Sequence, residues 1–321
     1  MNQGKKCMRS SFARNVAEFL FYFALVVLIR TIGFGLYQVP TGSMETTMLV
    51  GERFFADKLT PLFKSVKRGE IISFNDPYYQ YSKNPMMQFV EEYIWGPSNW
   101  TKRVIGIPGD HVQGKIEDGK PVIYINGEKL DEPYLNKYPL IEVFDDEPAK
   151  VVARAQRDVM SMMSKDHAKV NDFENYFARA FENHVFHRSY DPSVSFANQP
   201  FYVINERFVQ RDANGNLPLI MPRTPIKTKP QMHNGNLWGN GSDEFDIKLG
   251  KNQYWLMGDN RQGSKDARTW GPLDGKHIHG RILFRIWSID SQSWLWLFDL
   301  IAHPIDFWKH VRWNRFFQPV H

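Results

Sequence analysis

The chain has 321 residues, of which 42% are hydrophobic and 15% aromatic. This composition is typical of a globular protein and excludes a disordered or fibrous one. The formal net charge of +5 is a small excess that alone says little about partners, and the single cysteine, Cys7, excludes an intramolecular disulfide.

An apolar stretch near the amino terminus predicts a transmembrane anchor over residues 16–37. As a helix it is about 30 Å long, the thickness of one bilayer core. The bulky residues at its end disfavour a cleaved signal peptide, which needs small residues there. Four basic residues precede the stretch and none lies between Tyr37 and Glu52. The positive-inside rule therefore predicts that residues 1–15 are cytoplasmic and that the chain after Tyr37 lies outside.

Short β-rich runs bounded by Gly, Pro, Asn and Asp follow the anchor and predict strands. Asn126–Gly127 is a hairpin signal between the neighbouring runs Tyr124–Ile125 and Glu128–Leu130. The other predicted strands are Arg53–Lys58, Gly69–Phe74, Lys102–Ile107, Pro200–Ile204, Gln253–Met257 and Gly280–Trp287.

Residues 148–186 change to helical periodicity and predict two helices with a break near Lys165–Asp166. Because they interrupt the β-rich runs, we expect an inserted non-catalytic subdomain over residues 136–250. The β domain is then divided into residues 38–135 and 251–290.

Two further segments have distinctive compositions. Met232–Glu244 is rich in Asn and Gly and predicts a loop. Residues 291–321 form an aromatic and basic tail, whose apolar run is broken by Asp299 and Pro304 and is too short to span a bilayer. Two interpretations stay open for this tail: a segment at the membrane interface, or a carboxy-terminal helix packed on the domain.

Several motifs that are typical of other functions are incomplete in this sequence. Gly109–Lys115 matches most of a phosphate-binding loop, but Ile116 stands where Ser or Thr is needed and no helical pattern follows. His184 with His187, and His277 with His279, lack other obvious ligands, so no metal site is predicted. Basic residues form no long patch with interleaved aromatics outside the tail, so no nucleic-acid partner is expected.

Ser43 lies in a small turn just after the anchor. Thr41 and Glu45 occupy the glycine positions of G-x-S-x-G, which excludes a nucleophile elbow. A serine nucleophile needs a base, and a lysine can serve if its pKa falls by roughly 2–3 from about 10.4. Lys102 is the first residue of an apolar run that predicts a rigid strand. Its distance from Ser43 along the sequence does not indicate whether the two side chains meet.

Four segments in this order, Thr41–Met44, Lys67–Phe74, Lys102–Asp110 and Gly258–Gly271, resemble the characteristic boxes of bacterial type I signal peptidases, or leader peptidases. The resemblance covers the anchor and residues 36–130 and 253–288, and leaves out the helical insert and the tail.

The resemblance implies a membrane-anchored serine endopeptidase with a Ser–Lys dyad. Its catalytic domain would be mostly β, an antiparallel or barrel-like sheet, with an amino-terminal transmembrane helix and a small helical insertion. It implies no cofactor and no metal. Its partners would be exported preproteins, with small residues at positions −1 and −3 of their signal peptides, and the phospholipid bilayer. Its location would be the outer face of the bacterial inner (plasma) membrane, with a single span.

The resemblance also implies individual roles. Ser43 is the expected nucleophile and Lys102 the neutral general base, while the N–H of Ser43 and the hydroxyl of Thr41 form the oxyanion hole. Ser264 orients the lysine. The expected supporting residues are Met44 and two ion pairs, Asp266 with Arg268 and Asp259 with Arg103.

The sequence departs from the family pattern in places. Thr46 replaces a proline, which predicts a looser turn behind Ser43, and Thr269 replaces an aromatic residue. Two alternatives remain: a dedicated Ser–Lys maturation protease of a secretion or conjugation system, and a non-catalytic anchored β protein.

Overall fold

The computed structural model of the chain describes residues 2–93, 96–166, 173–291 and 296–320. These ranges contain a long amino-terminal helix, many short strands and several shorter helices. The α-helices are α1 (Asn2–Leu28), α2 (Pro85–Tyr93), α3 (Pro148–Asp166), α4 (Phe173–Glu182), α5 (Ala267–Trp270), α6 (Trp296–Ala302) and α7 (Pro304–Lys309). The strands are β1 (Phe34–Gln38), β2 (Arg53–Asp57), β3 (Ile71–Asn75), β4 (Asn99–Gly106), β5 (His111–Glu117), β6 (Lys120–Ile125), β7 (Glu128–Lys129), β8 (Leu140–Phe144), β9 (Val185–Ser189), β10 (Gln231–His233), β11 (Asn236–Trp238), β12 (Phe245–Lys248), β13 (Gln253–Met257), β14 (Leu273–Asp274), β15 (Ile278–Trp287) and β16 (Gln318–Pro319).

Helix α1 continues as one π-helical turn, Ile29–Gly33, before the chain enters β1. The segment Arg14–Gly33 has a mean hydropathy of 1.9 and 0% of it is buried, so it is long and apolar enough to cross a membrane. The predicted end of the anchor at residue 37 lies too far along the chain. Residues 34–38 are paired with β2 as a strand, and their apolar character belongs to the β domain.

Two antiparallel sheets contain most of the described strands. The first has the order β1-β2-β15-β3-β4-β13-β14, with β16 paired to β15. The second has the order β10-β11-β12-β5-β6-β7. The predicted fold class, mostly antiparallel β with an amino-terminal apolar helix and a small helical insertion, is confirmed.

The two sheets pack together through a shared apolar core. Ile105 of β4 and Trp255 of β13 lie in one buried cluster with Val112 of β5 and Ile247 of β12. Alternate residues at the start of β5 are buried, as expected for a strand with one face on the core. Burying a side chain of this size stabilises a fold by about 1.5–3 kcal/mol, so this cluster holds the sheets in a fixed relation.

The helical insertion is built from α3, α4 and the two-stranded sheet β8–β9. The two predicted helices are present, but the predicted end at residue 186 is wrong because Val185–Ser189 pair with β8. The expected break near Lys165–Asp166 adjoins residues 167–172, which lie outside the described residues.

The predicted limit of the inserted subdomain at residue 250 is also wrong. Strand β12 pairs with β5 from Phe245 to Lys248, so the end of that segment belongs to the second sheet. The Asn- and Gly-rich stretch predicted as a loop contains the β10–β11 hairpin, which joins the same sheet. Pairing over this sequence distance is not visible in local composition.

Two local predictions have different outcomes. The Asn126–Gly127 hairpin is confirmed, since Ile125 pairs with Glu128 and both turn residues have positive φ, 53° and 89°. The strand predicted at Pro200–Ile204 is absent, since this stretch forms neither a strand nor a helix. Its apolar residues, Tyr202 and Ile204, are buried in the cluster that joins the insertion to the domain.

The carboxy-terminal tail has one packed and one exposed face. Phe307 and Val311 are buried against Ile289, while Ile301 and Ile305 are among its exposed residues. The buried face agrees with the interpretation of a segment packed on the domain, and the membrane-interface interpretation stays a prediction for the exposed face. Residues 292–295 and 321 lie outside the described residues.

The tail and β15 also surround the buried carboxylate of Glu52. Its Oε1 accepts hydrogen bonds from Arg315 Nε at 2.6 Å and Ser288 Oγ at 2.7 Å, and its Oε2 accepts one from the N–H of Leu49 at 2.9 Å. Arg285 Nε lies 2.9 Å from Oε2. Burial raises the pKa of Glu52, but the two arginines outweigh burial and hold it below its ordinary value.

We expect Glu52→Gln to destabilise the fold by about 3–5 kcal/mol, because the substitution leaves the buried guanidinium of Arg285 and the partly buried one of Arg315 without their charge partner. Since the pKa is lowered on folding, the stabilisation is present above the ordinary glutamate pKa and is lost as the pH falls through the folded value. Unfolding in detergent at neutral pH measures the effect. Glu128→Gln, at an exposed position of β7, is the control, and equal stability of the two variants would contradict the expectation.

Candidate active site

The candidate nucleophile lies in a tight turn between β1 and β2. Thr41 is extended, with φ −134° and ψ 157°, and Gly42–Met44 form one 3₁₀ turn. The side chain of Met44 is buried beside Val39 and ties the turn to the core. Ser43 itself is 8% exposed, so its hydroxyl lies at the surface of the core.

The loop that carries this turn is closed at its base. The N–H of Val39 donates to the carbonyl of Glu52 at 2.9 Å, and the N–H of Gly51 donates to the carbonyl of Val39 at 3.0 Å. Gly51 has φ +84°, and a Cβ there would lie 2.0 Å from the carbonyl oxygen of Ile289. Only glycine fits this position, which fixes where the loop returns to the sheet.

Lys102 reaches Ser43 from the middle of the first sheet. It pairs with Ile72 of β3 and is 4% exposed. Its Nζ lies 2.8 Å from Ser43 Oγ and 3.1 Å from the carbonyl oxygen of Thr101. The fold therefore brings together two side chains that are 59 positions apart in sequence.

Burial lowers the pKa of Lys102 from 10.5 to about 8, because the ammonium group loses its hydration. The carboxylates of Asp266 and Asp259 oppose this shift, and Arg268 adds to it. The lowering corresponds to about 3 kcal/mol in favour of the neutral amine. A neutral amine beside a serine hydroxyl can accept its proton, so the pair can act as base and nucleophile.

Arg103, the next residue on β4, forms a two-pronged ion pair with Asp259. Its Nε and Nη2 donate to the two carboxylate oxygens at 2.8 and 2.7 Å, and its Nη1 donates to the carbonyl of Gly69 at 2.7 Å. Thr47 Oγ1 donates to the same carboxylate at 2.6 Å. This buried pair joins β4 to the segment after β13, beside the Ser43 loop.

Asp266 and Arg268 form a second buried pair, with Nε and Nη2 of the arginine 2.8 and 2.9 Å from the carboxylate oxygens. Arg268 Nη1 also donates to Asp243 at 2.7 Å, a partner that the sequence did not suggest. Burial raises the pKa of Asp266, but Arg268, the N–H of Gly258 and the hydroxyl of Ser264 hold it below its ordinary value.

Ser264 is close to the site but is not bonded to the lysine. Its Oγ is buried and forms no hydrogen bond with Lys102 within the described ranges. A Cβ at Gly258 would lie 2.3 Å from this Oγ and 2.4 Å from the carbonyl oxygen of Ser43. Because Gly258 has no side chain, the segment that contains Ser264 can lie this close to the nucleophile turn.

Asn260 is a site residue that the sequence reasoning missed. Its Nδ2 donates to the carbonyl of Gly42 at 2.9 Å, and its N–H donates to the carbonyl of Ser43 at 3.2 Å. Both bonds fix the peptide groups on either side of the nucleophile. Its position inside the Gly258–Gly271 box was the sequence feature that could have identified it.

An open cleft of about 350 Å³ lies beside the pair. Its lining includes the stretch 37–41 that leads to Ser43 and the stretch 98–102 that leads to Lys102. Thr41 and Trp100 belong to these two stretches. The cleft is therefore lined by two stretches of chain and by both members of the Ser–Lys pair.

Two of the four histidines considered as ligands, His184 and His187, have other partners. His184 Nδ1 lies 2.9 Å from Asp145 and its Nε2 lies 3.1 Å from Asp158, while His187 lies 3.3 Å from Glu142. In the part of the chain that the structure describes, no group of three or more His, Cys, Asp or Glu residues is placed to hold a metal ion.

Individual relatives are similar to this chain over different lengths. Signal peptidase I of Bacillus amyloliquefaciens is 38% identical over 111 residues, 35% of this chain and 48% of that protein. A probable signal peptidase I-2 of Synechocystis is 33% identical over 118 residues, 37% of this chain and 47% of that protein. Signal peptidase I of Buchnera aphidicola subsp. Schizaphis graminum is 24% identical over 309 residues, 89% of this chain and 76% of that protein. The matches to the first two thus span about half of those proteins.

A family model covers far more of the chain. The model described as signal peptidase, peptidase S26, matches residues 12–189 and 193–287, which include both members of the Ser43–Lys102 pair and the four boxes. The chain belongs to the signal peptidase family, peptidase S26.

Proposed function

We propose that the chain is a serine endopeptidase that removes amino-terminal signal peptides from exported preproteins. The observation that carries this proposal is the 2.8 Å contact between Ser43 Oγ and the buried Nζ of Lys102 in the lining of an open cleft. A lysine whose pKa is about 8 has a substantial neutral fraction at mildly alkaline pH.

The proposed reaction begins when the neutral Lys102 takes the proton of Ser43 and Oγ attacks the carbonyl carbon of the scissile peptide bond. The oxyanion of the tetrahedral intermediate accepts hydrogen bonds from the N–H of Ser43 and the hydroxyl of Thr41. The C–N bond then breaks, and Lys102 gives its proton to the leaving amine. A water molecule, deprotonated by Lys102, releases the signal peptide from the acyl-enzyme and restores both side chains.

The cleft favours a substrate bound in an extended conformation. An extended peptide can form main-chain hydrogen bonds with neighbouring backbones, while alternate side chains enter the cleft. The stretches 37–41 and 98–102 in the lining of the cleft suit such a peptide. Small side chains at −1 and −3 are the preference that family membership supports.

The proposed membrane geometry places the cleft near the bilayer surface. Lys58, which follows β2, contacts the end of the anchor: its Nζ donates to the carbonyl of Arg30 at 2.8 Å, and its N–H to that of Gly33 at 3.1 Å. Leu62 and Phe63, in the short turn that follows Lys58, are 60% and 78% exposed. We assign this turn and the exposed face of the tail to the lipid interface. Enzyme and signal peptide then meet on one surface, which raises their effective concentration.

Replacing either member of the pair tests the activity. We expect Ser43→Ala and Lys102→Met to lower the rate of preprotein cleavage more than about 1,000-fold, because neither residue acts without the other. The assay uses purified full-length protein and several unrelated preproteins with Ala at −1 and −3. Lys120→Met, at an exposed position of β6, is the matched control.

Either variant cleaving at the wild-type rate would refute the dyad. Cleavage of a single preprotein among those tested would favour a dedicated maturation protease. A preprotein with Phe at −1 is expected to stay uncleaved, and its normal processing would contradict the small-residue preference.

The pH dependence of cleavage tests the lysine separately. Because burial lowers the pKa of Lys102 to about 8, kcat/KM should rise with pH and reach half its maximum near that value. Below it, the neutral fraction of the lysine falls about tenfold per pH unit. Initial rates from about pH 6 to 9.5 measure the profile. A flat profile over this range would rule out Lys102 as the base.

The orientation in the membrane is tested by protease accessibility. Protease added to spheroplasts is expected to degrade residues 39–321, because the positive-inside rule places them on the outer face. The same protease added to sealed inside-out vesicles should leave that domain intact and remove an epitope tag from the amino terminus. Degradation of the domain in the inside-out vesicles would reverse the proposed orientation.

A further inference from the structure

A carboxylate without a place in the reaction is buried two residues after the nucleophile. Glu45 is 0% exposed, and its Oε2 accepts hydrogen bonds from the N–H and the Oγ of Ser189 at 2.9 and 2.7 Å. The hydroxyl of Tyr202 donates to its Oε1. Burial raises the pKa of Tyr202 well above 10, so this hydroxyl keeps its proton and stays a donor.

The same carboxylate is packed against the nucleophile turn. A Cβ at Gly42 would lie 2.5 Å from Glu45 Oε1, so the carboxylate lies directly on the Cα of Gly42. The N–H of Glu45 also donates to the carbonyl of Gly42 at 3.1 Å. Asn260 holds that carbonyl and the carbonyl of Ser43 with its own donors. The turn is therefore held both by the segment after β13 and by Glu45.

The donors to Glu45 belong to the insertion and not to the two main sheets. Ser189 is the last residue of β9, and Tyr202 lies in the irregular stretch that follows. Ser189 Oγ also accepts from Asn136 Nδ2 at 3.0 Å, and the N–H of Asn136 donates to the carbonyl of Asp259 at 3.1 Å. A continuous hydrogen-bonded path thus runs from the insertion to Glu45 and to the backbone of the Arg103–Asp259 pair.

Glu45 is absent from the walls of the substrate cleft. It therefore has no route to substrate except through the turn that it supports. Its contacts bear on the peptide groups next to Ser43, one of which carries the proposed oxyanion donor. Displacing a reacting group by about 1 Å can lower a rate by about 100-fold without changing the groups present.

We propose that Glu45 is a positioning residue that couples the inserted subdomain to the nucleophile turn. Through Ser189 and Tyr202 the insertion holds Glu45, and Glu45 holds Gly42 and Ser43 in the orientation that acylation requires. This inference rests on the proposed peptidase function. It assigns a role to a subdomain that the catalytic motifs do not include.

Three variants and one control test the coupling in the full-length protein. Tyr202→Phe removes one hydroxyl, Glu45→Gln keeps the shape but loses an acceptor, and the third variant combines them. Tyr190→Phe is the control, because Tyr190 is buried in the same apolar cluster as Tyr202 and makes no hydrogen bond to Glu45 among the described contacts. Single-turnover cleavage of a preprotein gives the acylation rate, and steady-state rates give kcat and KM.

We expect Glu45→Gln to lower kcat about 10- to 100-fold and Tyr202→Phe about 3- to 10-fold, with KM within about twofold of wild type. The double variant should be no slower than Glu45→Gln by more than about twofold, because both changes act through one contact. The rising limb of the pH profile should keep its midpoint, since Lys102 is untouched. Tyr190→Phe should match wild type.

Unchanged kcat in both single variants, or an equal change in KM and kcat, would overturn the coupling. Additive losses in the double variant would also overturn it. If Glu45→Gln fails to fold, Tyr202→Phe and Tyr190→Phe still decide the question. Failure of this inference is distinct from failure of the proposed function. If the wild-type chain cleaves preproteins and these variants cleave them equally well, only the coupling is refuted.

Discussion

The structure depends on holding a lysine amine out of water at 2.8 Å from a serine hydroxyl. In water the same amine is charged and cannot act as a base, so its burial creates the candidate chemistry. That burial opposes folding by about 3 kcal/mol at neutral pH, and the packing of the two sheets must offset it. Asp259 and Asp266, whose charges raise the pKa of Lys102, are each paired with an arginine. This pairing limits how far the two carboxylates favour the charged amine.

A second requirement is that the serine turn stays fixed although it lies at the edge of the core. Three separate parts of the chain meet this requirement. Asn260 holds the carbonyls beside Ser43, and Glu45 connects the turn to the insertion. On the far side, Arg315 of the tail donates to the carbonyls of Thr46 and Thr47 at 3.2 and 3.1 Å. The insertion and the tail are thus structural parts of the candidate site, although the four boxes cover neither.

The sequence predicted the features that depend on local pattern or on motif order. Turn residues and β-rich runs located seven of the sixteen strands in the described ranges, β2, β3, β4, β6, β7, β13 and β15, together with the Asn126–Gly127 hairpin. The boxes indicated Ser43 and Lys102. Features that depend on long-range pairing were missed, such as β12 joining β5. The apolar stretch at Tyr202 was mistaken for a strand, because a loop buried in a cluster has the same composition. Local pattern also gave no partner for Glu45, whose donors lie 144 and 157 residues away.

The departure at Thr46 shows how tertiary contacts can replace a local constraint. Proline stiffens a turn by fixing φ, and its absence frees that bond. Here side chains from distant parts of the chain hold the peptide groups around Thr46. Arg315 donates a hydrogen bond to the carbonyl of Thr46, and Arg285 donates one to the carbonyl of Thr47 at 2.7 Å. The hydroxyl of Thr47 is bound by Asp259 as well. The charges that keep Arg315 and Arg285 in place come from the buried Glu52, so the geometry behind the nucleophile depends on that carboxylate instead of on a proline.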